Sequence, residues 1–149
     1  MNYCLKEVRI DNDLTQKQLA DKLNVSRSTY SGWENESDNI PLYQFNNFCE
    51  LFNLSLDYVA KIIDRREKIT NTNKKEIDPT LIGQRLEIIR KDFNLKQKNM
   101  AELMGVSQST YFNYKNGTTV VQTEILKTVA KHFKISLDWL VGKSEEKRH

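Results

Sequence analysis

Apolar residues along the chain recur at spacings of three and four, the mark of helices with one buried stripe. Leu5, Val8 and Ile10 are expected to share such a stripe on a short opening helix. Thr15 then stands where an N-cap belongs, and Gln18 three residues later completes a capping box, so a second helix begins there. Its apolar positions Leu19, Ala20 and Leu23 lead to Asn24, a residue that tolerates the left-handed conformation, and the chain must turn. Ser26 opens a third helix, in which Tyr30 and Trp33 point to one side. Leu42, Phe45, Phe48, Cys49 and Phe52 mark a fourth. Ser55 caps a fifth, with Asp57 in its first turn where a carboxylate meets the positive helix end.

The whole pattern returns 81 residues later. Leu5 to Val59 lies over Leu86 to Leu140 without a gap, and 17 of the 55 pairs are identical. They include Arg9 with Arg90, Gln16 with Gln97, Ala20 with Ala101, Val25-Ser26 with Val106-Ser107, and Ser28-Thr29-Tyr30 with Ser109-Thr110-Tyr111. Gly105 replaces Asn24 at the turn, Ser107 and Ser136 repeat the caps, and Ile125, Leu126, Val129, Ala130 and Phe133 repeat the fourth stripe. Far more identities than chance allows means two copies of one small domain. The expected organisation is a first domain over 1–64, a polar linker over 65–78, a second domain over 79–143 and a charged tail over 144–149.

Five Gly and two Pro in 149 residues are too few for a chain of many tight β-turns, so the fold class expected is all-α. No apolar run approaches the roughly 18 to 20 residues of a membrane span. The opening Met1-Asn2-Tyr3-Cys4-Leu5-Lys6-Glu7 lacks the order of a signal peptide, which together points to the cytoplasm and away from a membrane. Cys4 and Cys49 read as reduced thiols, and Cys49, aligned with Ala130, as a small buried hydrophobe. His132 and His149 have no partner that suggests catalysis. Neither a catalytic constellation nor a metal ligand set nor a cofactor motif can be assembled, and an enzyme is not expected.

Charge divides unevenly between the copies. Residues 1–64 hold six Lys or Arg against ten Asp or Glu, and 65–149 hold seventeen against ten, giving −4 and +7 within an overall +3. A basic half suits a polyanion, because cations placed on phosphates release condensed counterions.

A helix, a turn centred on a residue able to adopt positive φ and a second helix begun by Ser is the arrangement of a helix-turn-helix. Small Ala20 lets the two helices approach, and Leu19, Leu23, Val25, Tyr30 and Trp33 fill the space between them. Arg27, Ser28, Ser31, Gly32 and Asn35 are then expected outward, as are Gln108, Ser109, Phe112, Asn113 and Asn116 in the second copy. Tyr30, Trp33, Tyr111 and Tyr114 belong to the core.

On these residues, with Trp33-Glu34-Asn35, Leu54-Ser55-Leu56-Asp57-Tyr58 and Ile135-Ser136-Leu137-Asp138-Trp139-Leu140, both copies resemble the Cro and phage-repressor type of helix-turn-helix domain, the Xre-like family. The resemblance covers about three quarters of the chain. It implies two tandem five-helix lambda-repressor-like domains, each able to lay its third helix in the major groove of double-stranded DNA. It assigns Gln16 and Gln97 to phosphate, with Lys17 and Lys98 as cationic neighbours. It makes Arg27, Ser28, Gln108, Ser109 and Asn113 the readers of base edges. Arg matches guanine O6 and N7, while Gln or Asn matches adenine N6 and N7. Thr118 and Thr119, just past the second recognition helix, could donate to phosphate. Phe112 either touches a thymine methyl or packs on the loop that follows.

Two departures from the family pattern separate the copies. The family's Arg on helix one paired with Glu near the end of helix three is kept as Arg9 and Glu34, but the second copy has Arg90 facing Lys115. Either Lys115 turns outward to phosphate or Arg90 finds another carboxylate. The first copy also has Gly32 where the family places a long polar side chain, so it is expected to bind DNA more weakly than the second.

A flexible 14-residue linker has a typical span of about 20 Å and a limit near 47 Å, enough for both domains to engage one duplex. Because the two recognition helices differ, an asymmetric operator is expected, or a longer palindrome if the protein forms a homodimer. The expected function is sequence-specific DNA binding by a transcriptional regulator, most simply a repressor. The alternative is an interaction or dimerisation module in which the acidic first domain binds a protein partner and only the second binds DNA.

Overall fold

The computed structural model describes residues 2–64 and 75–148. The expected linker lies outside the described residues over 65–74, as does His149 of the tail. The chain divides into two compact units, Met1–Thr72 and Asn73–His149. Among the described residues all regular structure is helical. No described helix is long and apolar enough to cross a membrane.

Unit 1 contains α1 (Leu5–Asp11), α2 (Gln16–Lys22), α3 (Arg27–Glu34), α4 (Leu42–Leu51) and α5 (Leu56–Val59). Each start has a local cause. The Thr15 hydroxyl accepts from Gln18 N at 3.1 Å while the Gln18 side chain accepts from Thr15 N at 2.9 Å, the reciprocal box expected from the sequence. Ser26 and Ser55 accept from the backbone N–H three residues on, at 3.1 and 3.0 Å. Asn24 takes φ 58°, and Val25 N donates to Ala20 O at 3.0 Å, closing the turn between α2 and α3. Leu5, Leu19, Tyr30, Phe45, Phe48, Leu54 and Leu56 form the dry centre of the unit.

Ile10 does not join that stripe. It is 52% exposed, while Leu5 and Val8 are buried. At about 100° per residue, position 10 lies some 140° around the helix from position 5, and a seven-residue helix packed through Leu5 and Val8 leaves it facing out.

Unit 2 contains α6 (Pro79–Asp92), α7 (Gln97–Met104), α8 (Gln108–Lys115), α9 (Thr123–Phe133) and α10 (Leu137–Leu140). Shifted by 81, α8 spans the same eight positions as α3, and α10 the same four as α5. Ser107 and Ser136 cap as their counterparts do, at 3.1 Å each, and Gly105 takes φ 71° at the turn. Lys96 offers no side-chain acceptor, so α7 starts without the box that Thr15 provides. Ile82, Leu86, Ile89, Met100, Tyr111, Leu126 and Val129 form the centre.

The units differ most at their first helices. α6 begins seven positions earlier in register than α1, with Pro79 at its first turn and Asp78 accepting from Thr80 N at 3.0 Å. Gly83 lets this added length approach α8: a Cβ there would lie 2.4 Å from Tyr114 O and 2.3 Å from Lys115 O. In unit 1 the residues just before α1 pack on α4 and α5. Cys4 N donates to Val59 O at 3.0 Å, and the Tyr3 ring meets Phe45 edge-on at 5.3 Å.

The charged residues after 143 fold back on unit 2. Ser136 N donates to Lys147 O at 2.8 Å, and Arg148 Nη1 reaches the carbonyls of Phe133 and Lys134 at 3.2 Å. Buried Arg85 donates to Ser144 O at 3.0 Å and lies over the Trp139 ring at 4.8 Å, where Lys147 also approaches at 5.5 Å.

Candidate nucleic-acid interface

The third helix of each unit, α3 and α8, is held by what lies beneath it. Tyr30 and Trp33 on α3, and Tyr111 and Tyr114 on α8, are buried as expected. Burial pushes the Tyr111 hydroxyl pKa up to about 12 and raises that of Tyr30 as well, so both stay neutral underpinnings. Ala20 and Ala101 are buried where the paired helices come together. With one side of each helix fixed inward by large rings, the opposite side has to face out.

Arg27 and Ser28 are exposed on the first turn of α3, Ser31 is half-buried, and Asn35 is exposed at its C-cap. Gln108, Ser109, Phe112 and Asn113 are exposed along α8, with Asn116 exposed at its C-cap. Gln16 and Gln97 are half-buried at the first position of α2 and α7, followed by exposed Lys17 and Lys98. Within each unit the expected residues therefore meet around one helix pair. Lys17 is partly engaged, 3.4 Å from Asp21 one turn along.

Gly32 departs from expectation: it is buried, not outward. The loop after α3 folds back so that Asp38 N donates to Gly32 O at 3.1 Å, and a Cβ on Gly32 would stand 2.5 Å from Asp38 Oδ2. The carboxylate covers the place a side chain would take.

Phe112 is 52% exposed, with Lys115 Nζ 5.8 Å from its ring centre, so it is not tucked under the following loop. Thr118 N donates to Asn116 Oδ1 at 3.0 Å and its hydroxyl to the same oxygen, which fixes both side chains at the end of α8.

Each unit braces helix one against the end of its recognition helix with charge, but with opposite polarity. Arg9 grips Glu34 through two bonds, Nε to Oε2 at 3.0 Å and Nη2 to Oε1 at 2.8 Å, and its third nitrogen donates to Leu14 O at 2.9 Å. Gln16 Nε2 also reaches Glu34 Oε1, at 3.3 Å. Burial alone would raise the Glu34 pKa, but the bonds from Arg9 and Gln16 outweigh it and hold the carboxyl below its ordinary value. In unit 2, Arg90 keeps the bond to the turn, Nη1 to Leu95 O at 2.8 Å, but finds its carboxylate on its own helix: Nε lies 2.6 Å from Glu87 Oε2. Lys115 Nζ approaches the other oxygen of Glu87 at 3.6 Å. Lys115 thus leans inward to Glu87, which resolves the apparent Arg90 and Lys115 clash. Glu87 occupies the register of Lys6, so the two units exchange Lys6 and Glu34 for Glu87 and Lys115.

Residues 5–59 match a helix-turn-helix family profile, and residues 83–146 match a helix-turn-helix domain profile. An HTH-type transcriptional regulator of Bacillus subtilis (strain 168), YobD, is 35% identical over 77 residues, spanning 50% of this chain and 69% of that protein. The chain belongs to the helix-turn-helix family. A second regulator of this type from the same organism, YqaE, is 27% identical over 109 residues, covering 64% of this chain and 94% of its own length. The antitoxin PezA of Streptococcus pneumoniae serotype 4 (strain ATCC BAA-334 / TIGR4) is 31% identical over 65 residues, 44% of this chain and 41% of that protein. No solved structure matches the chain significantly.

Three residues that shape this tandem helix-turn-helix surface were not singled out from the sequence. Glu87 is signalled only by its spacing of three from Arg90 together with the charge reversal at 34 and 115. Asp38 and Gly83 act through contacts with other segments, which no local pattern announces.

Proposed function

We propose that this helix-turn-helix protein is a cytoplasmic, non-enzymatic transcriptional regulator that binds double-stranded DNA in a sequence-specific way, with repression by promoter coverage as its output. The observation that supports this most is the matched pair α3 and α8, with aromatic rings buried below and polar side chains exposed above in the same register. In this reading Gln16, Lys17, Gln97 and Lys98 meet phosphate. Arg27, Ser28, Ser31, Gln108, Ser109, Phe112 and Asn113 face base edges. Asn35, Asn116 and Thr118 border the groove at the helix ends, while Lys115 stays turned toward Glu87. Unit 2, which belongs to the +7 half of the chain, supplies most of the electrostatic attraction.

Fluorescence anisotropy of the full chain on labelled duplex at several salt concentrations tests this reading. Affinity is expected to fall linearly on logarithmic axes with added salt. Replacing Gln97, Lys98 and Asn113 together by Ala should lower affinity about tenfold or more while the circular dichroism stays unchanged. Unaltered affinity in that folded variant would refute the assignment.

A further inference from the structure

The two units place the polar group at the end of the recognition face on different segments. In unit 2 it is Asn113, exposed on α8 itself, and the loop opposite carries Thr119. In unit 1 the helix position is Gly32, and the loop position in register with Thr119 is Asp38. The backbone arrangement is shared. Thr118 N and Thr119 N donate to Asn113 O at 2.9 and 3.3 Å, and Asp38 N donates to Gly32 O at 3.1 Å. The Ser37 hydroxyl adds a second bond to Gly32 O at 3.4 Å, and Ser37 N is held by Asn35 Oδ1 at 3.2 Å.

This loop brings the Asp38 carboxylate onto the line along which a side chain at position 32 would project. Oδ2 would stand 2.5 Å, and Cγ 3.3 Å, from a Cβ built there. Any larger residue at 32 would displace the carboxylate. Asp38 is exposed, and none of the ion pairs and hydrogen bonds among the described residues engages its carboxylate. An unneutralised acid with its acceptor atoms free on a polar, outward helix face is poised for an external donor.

We propose that Asp38 is a specificity residue of unit 1: it stands in for the missing side chain of position 32 and selects cytosine in the major groove. The proposal rests on the DNA-binding reading above. An ionised carboxylate only accepts hydrogen bonds. Guanine shows it two acceptors, O6 and N7, and thymine shows O4 and a methyl group. Adenine offers its N6 amino group beside the acceptor N7, whereas cytosine offers N4–H₂ with no acceptor of its own next to it. Asp38 therefore favours cytosine, disfavours the other three bases and repels nearby phosphate. Unit 1 gains discrimination at the cost of affinity.

The test is selection of bound duplexes from a random pool by the full chain, carried out with the native protein, Asp38→Asn and Asp38→Thr. Binding of each selected duplex and its single-base variants is then measured. The native chain should enrich a cytosine at one position outside the part of the site lost in Gln108→Ala. Replacing that cytosine should weaken binding about tenfold, within the range of one good base contact. Asp38→Asn should move the preference toward adenine, and Asp38→Thr should flatten it, with the other positions unchanged. The double variant Gly32→Asn/Asp38→Thr, which reproduces the pair of unit 2, should also select adenine. If all three variants keep the native preference, or bind every sequence more tightly by one common factor, Asp38 acts only as a repelling charge and the proposal fails. A native chain that binds no duplex would instead remove the DNA-binding reading itself, and this proposal with it.

Discussion

Arg9 and Glu34 join α1 to the end of α3 through two parallel bonds of 3.0 and 2.8 Å, with only 13% and 5% of their side chains exposed. Removing one partner of such a pair leaves the other charge stranded. Glu34→Ala should therefore destabilise unit 1 by about 3 kcal/mol. Urea unfolding monitored through Trp33, in a Trp139→Phe background that leaves it the sole tryptophan, measures this directly. A loss well under 1 kcal/mol would show the pair to be dispensable.

The same pair sets an acid limit on unit 1. The Glu34 pKa is lowered in the folded state from its ordinary 4.5. A depressed carboxylate pKa contributes stability that is complete above the unfolded value and lost as pH falls through the folded one. Unit 1 should thus lose stability progressively below about pH 4.5, and Glu34→Gln should be less stable at neutral pH but show a shallower acid dependence. Parallel curves for the two proteins between pH 3 and 7 would contradict this.

Glu87 should be replaceable if its acid is moved. Glu87→Gln leaves Arg90 and Lys115 without their shared carboxylate and should cost unit 2 about 2 kcal/mol. Adding Lys115→Glu puts an acid at the register of Glu34, opposite Arg90, and should recover most of that loss. A double-mutant cycle reads the coupling, and simple additivity would contradict the exchange of polarity between the units.

Much of this architecture is legible in local sequence, because helix starts and turns are set by neighbours. Thr15 with Gln18, Ser26, Ser55, Ser107 and Ser136 all cap as their spacing suggests, and Asn24 and Gly105 both take positive φ. The exposed faces of α3 and α8 follow from the buried rings for the same reason, apart from position 32. What escaped depends on contacts between distant segments. Gly32 reads as an outward gap until Asp38 is seen above it. Arg90 reads as stranded until Glu87 is seen to serve it and Lys115 together. The charged end of the chain reads as a tail, yet Arg85 and Trp139, more than fifty residues apart in sequence, give it a seat.

Gly83 and Gly105 should respond differently to alanine. Gly83→Ala drives a methyl group into the carbonyls of Tyr114 and Lys115, so α6 and α8 must separate at a cost of about 2 to 3 kcal/mol. Gly105 has nothing within 4 Å of such a methyl and carries only the strain of φ 71°, about 1 kcal/mol. Thermal melts rank the two variants. DNA affinity should suffer in the first, whose recognition helix is displaced, and remain near native in the second.

Phe112 should reveal itself through thymine. Its ring is free to meet a C5 methyl, so replacing thymine by uracil in a selected duplex should weaken the native protein severalfold and leave Phe112→Ala unaffected. Equal losses in both proteins would place the methyl contact elsewhere.

Amide NMR of the full chain titrated with a selected duplex tests the orientation of the recognition helices most directly. The largest shift changes should fall on Gln97, Lys98 and Gln108 through Asn113, with a second set on Gln16, Lys17 and Arg27 through Ser31. Changes centred instead on α4 and α9, with α3 and α8 silent under saturating duplex, would contradict the account.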